Sequence, residues 1–500
     1  MRDIVSKVSD FAIPIAFVVL GLFFGSQEYH WDTLERAVIL ENPGGFLRSW
    51  DGSPRSQFLS FAHILELPLA TLVRLVVGSP SGMHSLVLFE LLCAACALWV
   101  IARIVRQRHG GRMSALAAQF MLACCWGFWK MGTSGEERLL AMATLLLFLW
   151  AFWTILHTGR GAILVSGSLI LAILSHLSNA VLLPFAFLGL AILPEPQRQH
   201  RRRAAIAVVL GALITGVVYV AVAAFTSNVR TLPQLWNYLT FFHRDTGNDF
   251  FTVTLSPETW RQSLHGLRAF LSEPTWVANV ALVVLVAIPM WRAGRRTQKL
   301  PMQERHMLVL GLLWTLHFAF YEPINVESWT LVGMALVLSA AWGLRSHRQA
   351  MLLVALALLL LITNVPSFQR LHQPMPLLRA LEQVVDASDP NDIILMGGGI
   401  QNQRPLRGSH ATRFFLAHER QRTIISLYDV MQITQREFWG RPIASLQELQ
   451  QAIDSGRRVW FPAFLFQEFE AAQQSGHVDL QVVAHGDSLY EVTAVGAPTP

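Results

Sequence analysis

Phe11-Ala12-Ile13-Pro14-Ile15-Ala16-Phe17-Val18-Val19-Leu20-Gly21-Leu22-Phe23-Phe24-Gly25 is an unbroken apolar run, and one serine separates it from Gln27-Glu28-Tyr29-His30-Trp31-Asp32-Thr33-Leu34-Glu35. The first stretch reads as a membrane helix, and acids gather as soon as it ends. No A-x-A cleavage site follows it, so it reads as a retained signal anchor. What the acids do depends on the rest of the chain.

That rest is strongly apolar. The 500 residues are 53% hydrophobic and 14% charged, with a mean hydropathy of +0.41. Apolar runs near the roughly 20 residues needed to cross a bilayer recur throughout, which excludes a soluble globular chain. The net charge of +6 is not a nucleic-acid signal, because the arginines sit in short loops between spans. Cys93 and Cys96 are spaced C-x-x-C but lie inside an apolar run, as do Cys124 and Cys125. With no second pair and no histidine at ligand spacing, packing is the better reading.

Hydropathy predicts about eleven spanning helices, over 11–25, 83–104, 113–131, 138–157, 161–175, 178–194, 204–226, 275–292, 306–323, 328–345 and 349–366. Arg103, Arg106, Arg108 and Arg112 follow the second span, and Arg160 follows the fourth. Arg198, Arg201, Arg202 and Arg203 follow the sixth, Arg292, Arg295, Arg296 and Lys299 the eighth, and Arg345 and Arg348 the tenth. All fall on one side if the N-terminus is cytoplasmic. Counting Phe58 to Gly78 as a further span would break that agreement, and this stretch carries His63, Glu66, Pro68 and Arg74. It reads as a helix lying at the outer interface. Two long outer loops result, about 26–82 and 227–274.

After about residue 367 the apolar runs shorten to strand length. Asp392–Met396, Arg422–Leu427 and Arg458–Phe461 read as buried strands, and Val478–Val483 with Leu489–Val495 as a hairpin. Ser445-Leu446-Gln447-Glu448 has the form of a capping box opening a helix. The fold class is therefore an all-α polytopic membrane protein over 1–366 with a small α/β extracytoplasmic domain over 367–500. Met396-Gly397-Gly398-Gly399 lacks the spacing of a nucleotide-binding loop and reads as a turn. No Ser-His-Asp or H-E-x-x-H arrangement is found.

Ionisable groups near a membrane are costly, so where they gather is informative. This topology collects Asp32, Glu35, Glu136, Glu137, Glu322 and Glu327 on the outer face, with His176 and His317. Glu90 falls roughly 10 Å below that face at 1.5 Å per residue. Asp32 and Glu35, three apart, share a helical face, and a carboxylate there could take a proton from an attacking hydroxyl or amine. A solvated first turn that favours acids explains the pair equally well. In Gly132-Thr133-Ser134-Gly135-Glu136-Glu137-Arg138, the two acids could hold an acceptor or a divalent cation, and Arg138 or Lys130 could meet a phosphate. Ordinary capping by Ser134 is the competing account. His176 lies in a polar break, Ser175–Asn179, suited to a phosphate or to a simple interhelical turn. His317, Glu322, Asn325 and Glu327 flank another outer turn.

Together these features resemble the GT-C superfamily of membrane glycosyltransferases, which includes the protein O-mannosyltransferases, aminoarabinose transferase and the oligosaccharyltransferases. Asp32 sits where that family keeps its first-loop acid, and Glu136-Glu137 where its second-loop acids lie. Ala62–Leu69, with His63 and Pro68, looks like the family's short interfacial helix, and Gly110–Ala118 like the entry to its third span. The resemblance implies an inverting transfer of a sugar from a polyprenyl-phosphate donor to an acceptor at the outer face of the plasma membrane. In that scheme Asp32 is the general base, with Glu35 as its neighbour or stand-in, the two forming the catalytic pair. Glu136, Glu137, His63 and Glu327 serve substrate binding, and Lys130, Arg138 and His176 the phosphate. The first loop holds neither an Asp-x-Asp nor an Asp-Glu pair, and the W-W-D-x-G signature of the oligosaccharyltransferases is missing, which argues against asparagine-linked transfer. A divalent cation is left open, and nothing in the sequence requires one. The rivals are a polytopic lipid or glycan transporter, which would place ionisable groups at mid-membrane and show repeats, an O-antigen ligase or polymerase, and a non-catalytic GT-C-like scaffold.

Overall fold

The computed structural model describes residues 2–27, 31–41, 59, 63–79, 81–109, 111–136, 138–227, 229–239, 256–294, 301–320, 329–344, 346–373, 376–396, 400–401, 404–405, 423–426, 446–463, 466, 470, 474, 479–486 and 489–496. It is mostly helical and divides into two units. The first comprises Met1–Ser26, Phe58–Val77 and Leu86–His372, and the second Gln27–Gln57, Gly78–Ser85 and Gln373–Pro500.

The helices in chain order are α1 (Arg2–Phe24), α2 (Trp31–Glu41), α3 (Glu66–Val77), α4 (Gly82–His109), α5 (Arg112–Ala123), α6 (Trp126–Ser134), α7 (Arg138–Thr158), α8 (Ala162–Ser175), α9 (Leu182–Ala191), α10 (Glu195–Arg198), α11 (Arg201–Ser227), α12 (Leu232–Leu239), α13 (Pro257–Leu271), α14 (Thr275–Gly294), α15 (Met302–Phe320), α16 (Thr330–Gly343), α17 (His347–Leu371), α18 (Pro376–Ala387) and α19 (Leu446–Asp454). Among the described residues four are long and apolar enough to cross a membrane singly: α4, α7, α11 and α17. The α13–α14 pair, bent by 93°, passes the same test as a unit.

In the first unit α7 is apolar around its whole circumference, and 83% of its most apolar stretch is buried by neighbouring helices. A helix of that kind belongs at the centre of a bundle. Small and hydroxyl residues let the helices approach closely, and polar side chains bond across. The Ser166 hydroxyl on α8 donates to the Ala207 carbonyl on α11 at 2.7 Å, and the Tyr219 hydroxyl to Ile173 at 3.1 Å. Gln119 is fully buried, and its amide donates to the carbonyls of Asp10 (2.9 Å) and Leu98 (3.0 Å).

The stretch 113–131, read as one span, is two helices. Cys125 is extended (φ −69°, ψ 132°), which parts α5 from α6. Asn364 on α17 compensates the break: its amide donates to the Cys124 carbonyl at 3.2 Å and to Leu271 at 3.4 Å, while its own oxygen accepts from the Ser272 hydroxyl at 2.8 Å. One buried side chain thus satisfies backbone groups freed at two helix interruptions. One and two turns along α17, Ser367 and Arg370 bond the Glu273 carboxylate beside the second interruption.

In the second unit a five-stranded sheet is built from β1 (Ile393–Met396), β4 (Thr423–Ser426), β5 (Val459–Pro462), β6 (Asp479–His485) and β7 (Leu489–Gly496). The order is β4-β1-β5-β7-β6, with β1 parallel to β4 and β5 and the last pairs antiparallel. A separate short pair joins β2 (Ile400–Gln401) to β3 (Arg404–Pro405). These five strands lie on the apolar runs read from the sequence, and β6 and β7 form the hairpin. Val384, Val385 and Leu449 from α18 and α19 pack on Ile394, Val459 and Phe461. α19 begins at Leu446, and its cap position lies outside the described residues. Also in this unit, the Glu41 carboxylate at the end of α2 accepts the Gly82 N–H at 2.5 Å.

Candidate functional site

α7 and α8 run antiparallel through a short turn, so the start of α7 and the end of α8 meet. Arg138 opens α7. His176 follows α8 in extended backbone (φ −160°, ψ 125°) and starts the 3-10 turn Leu177–Val181. Its Nδ1 accepts the Ser178 N–H at 3.0 Å. A histidine whose Nδ1 accepts must carry its proton on Nε2. That Nε2 faces the Arg138 guanidinium, its close partner. Arg138 and His176 therefore bring a guanidinium and an imidazole together in one place, a setting that suits an anion.

The surroundings extend this cluster. The His63 ring, just ahead of α3, meets the His176 ring edge-on at 4.6 Å between centroids. The Leu65 N–H, bonded to the Leu174 carbonyl at 3.2 Å, holds that segment against the end of α8. Asn179 is buried and donates to Ala141 (3.1 Å) and Ala172 (2.8 Å), fixing the turn to both helices. Arg138, His176, Ser178, Asn179, Trp314 and Thr330 line a small, partly open cleft. His317, one turn along α15 from Trp314, lies within the field of Arg138.

Lys130 and Glu136 form a second group in the same unit. The Lys130 ammonium is 3.9 Å from the buried Glu136 carboxylate and 5.5 Å from the Trp126 ring centre. Gly132, Thr133 and Ser134 are not a loop. They complete α6, with the Thr133 hydroxyl donating to the Trp129 carbonyl at 2.9 Å. The chain turns at Gly135, whose φ of +76° suits glycine. Ser134 therefore ends one helix and does not cap the next.

Asp32 and Glu35 belong to the second unit, on α2, whose helical backbone puts positions 32 and 35 on one side. Glu137, Glu322, Asn325 and Glu327 lie outside the described residues. Two carboxylates that sequence reasoning left out of the site are almost completely sheltered: Glu66 is 1% exposed and Glu90 0%. The signal for Glu66 is an acid opening a mostly apolar helix. Among the described residues no group of three or more histidine, cysteine or acidic side chains is placed to hold a metal ion.

No family model and no curated protein matches this sequence. Solved structures do match. The mycobacterial arabinofuranosyltransferase AftD is 14% identical, with a TM-score of 0.56 over 98% of this chain and 40% of its own. The archaeal oligosaccharyltransferase AglB of Archaeoglobus fulgidus, solved with an inhibitory peptide and a dolichol-phosphate, is 10% identical over 99% of this chain and 74% of its own, at 0.51. ArnT of Cupriavidus metallidurans, solved bound to undecaprenyl phosphate, is 12% identical over 97% of each chain, at 0.48. The likeness to AftD and AglB is one of fold, and this chain has that GT-C-like fold.

Proposed function

We propose that this protein is an inverting membrane glycosyltransferase that takes a sugar from a polyprenyl-phosphate donor and passes it to a cell-envelope lipid, glycan or protein. The observation that carries the reading is the pairing of the Arg138 guanidinium with the His176 ring in the lining of one cleft. Such a pair suits the phosphate oxygen on which charge develops as the glycosidic bond breaks. Asp32 is the general base: it takes the proton of the acceptor hydroxyl or amine as that oxygen or nitrogen attacks the anomeric carbon. The electron pair of the broken bond leaves with polyprenyl phosphate. Glu35 is the neighbour of Asp32, and Glu136, Glu137, His63 and Glu327 orient the acceptor or sugar. Lys130, held beside Glu136, adds a cation to the phosphate side. A long polyprenyl chain keeps the donor in the bilayer, so the chemistry belongs at its surface.

The same reading gives about eleven spans in 1–366, a cytoplasmic N-terminus in the inner membrane, and an extracytoplasmic α/β domain over 367–500. The experiment is release of polyprenyl phosphate from a panel of polyprenyl-phosphate sugars, with cell-envelope extract as acceptor. Asp32→Asn should abolish release while leaving the protein folded. Turnover retained by that variant would remove Asp32 from the mechanism, and no release from folded wild type with any donor would overturn the transferase reading.

A further inference from the structure

The opposite end of the α7–α8 hairpin carries a strongly charged patch that the proposed chemistry does not use. Between residues 158 and 206 the chain has five arginines, Arg160, Arg198, Arg201, Arg202 and Arg203, and one acid, Glu195. Glu195 is paired with Arg198. Among the described residues Arg160, Arg201, Arg202 and Arg203 have no carboxylate partner, and Arg160, Arg201, Arg202 and Arg203 are exposed. The patch is assembled from two segments about forty residues apart. The Arg203 guanidinium donates to the Gly159 carbonyl at 3.3 Å, and the His200 ring lies where a Cβ on Gly159 would fall, 2.7 Å away. A third segment adds Arg305, which donates to the Ile192 carbonyl at 3.1 Å.

The patch is continuous with an apolar face. α11 is only 28% buried along its most apolar stretch, and Ile206, Leu210, Leu213 and Val217 on it are 49–68% exposed. Ile163 at the start of α8 is 90% exposed. α8 and α11 are bonded side by side through Ser166 and Ala207, so these apolar side chains and the arginines share one surface. A general preference for arginine on one side of a membrane accounts for basic loops. It does not require that separate loops be bonded into one patch above an exposed apolar face. Clusters of arginine at the membrane surface attract anionic lipids, at roughly a fivefold gain in binding per arginine.

We infer that this surface binds an anionic phospholipid, its phosphate held by Arg160, Arg201 and Arg202 and its acyl chains laid along α8 and α11. Arg203 and His200 build the patch through Gly159 and are not counted among the headgroup ligands. The inference does not depend on the transferase reading.

The test is native mass spectrometry of the full-length protein released from nanodiscs containing equal phosphatidylglycerol and phosphatidylcholine. Wild type should retain phosphatidylglycerol preferentially. R160Q/R201Q/R202Q should lose at least tenfold of that preference, whereas R160K/R201K/R202K should keep most of it. Excess inorganic phosphate at matched ionic strength should not displace the lipid. Equal retention of the two lipids by wild type, an unchanged preference in the glutamine variant, or displacement by inorganic phosphate would each overturn the proposal. Should the glutamine variant not fold, the lysine variant and the wild-type competition decide it.

Discussion

α7 and α11 are both long apolar helices that open with arginine, and the bundle treats them in opposite ways. In α7, 83% of the apolar stretch is covered by protein, against 28% in α11. Arg138 at the head of α7 faces His176 in a cleft, whereas Arg201, Arg202 and Arg203 at the head of α11 are exposed. Hydropathy says that a helix is apolar enough for a membrane. It does not say whether lipid or protein will meet it. In α7 the difference comes from Phe148, Phe152 and Trp153, fully buried or nearly so among Phe185, His306 and Trp342.

The comparison can be pressed with substitutions. Phe152→Ala should destabilise by about 3–5 kcal/mol in a denaturant titration in mixed micelles, because the ring is 0% exposed and its neighbours cannot collapse into the space. Stability near wild type would mean that α7 is not central. Arg138→Gln should lower polyprenyl-phosphate release about 10²-fold with the fold intact, the effect of removing one preorganised donor. Asn179→Leu should cost about 1–3 kcal/mol by the same titration, since it withdraws a donor from two carbonyls inside the bundle. Leu213→Ala on α11, at 63% exposure, should stay within about 0.5 kcal/mol. A larger loss there would show that another protein surface, and not lipid, covers α11.

Much of the helical arrangement was legible because apolar length is a property of local composition. Most of the apolar segments read from the sequence are helical over most of their described residues. The break at Cys124–Cys125 was not legible. Both residues are apolar, and the group that makes the interruption tolerable, Asn364, lies 240 residues away. The strands of the sheet could be read because buried parallel strands are short apolar runs; the two-residue pair β2–β3 left no such trace. At the site, Arg138 and His176 were each named for their charge and their polar setting. That they converge follows from the antiparallel pairing of α7 and α8, which two spans joined by a short turn nearly require. Glu66 and Glu90 were underweighted because their burial is made by packing that no local pattern records.

Asn364 has one amide and serves two interruptions, one after Cys124 and one after Leu271. The two bends are therefore not independent features of two helices. Shifting either would cost Asn364 a hydrogen-bond partner, so both bends are anchored on one side chain of α17. α6, which carries Lys130, and α13 thus share a single anchor, and replacing that one residue would loosen both at once.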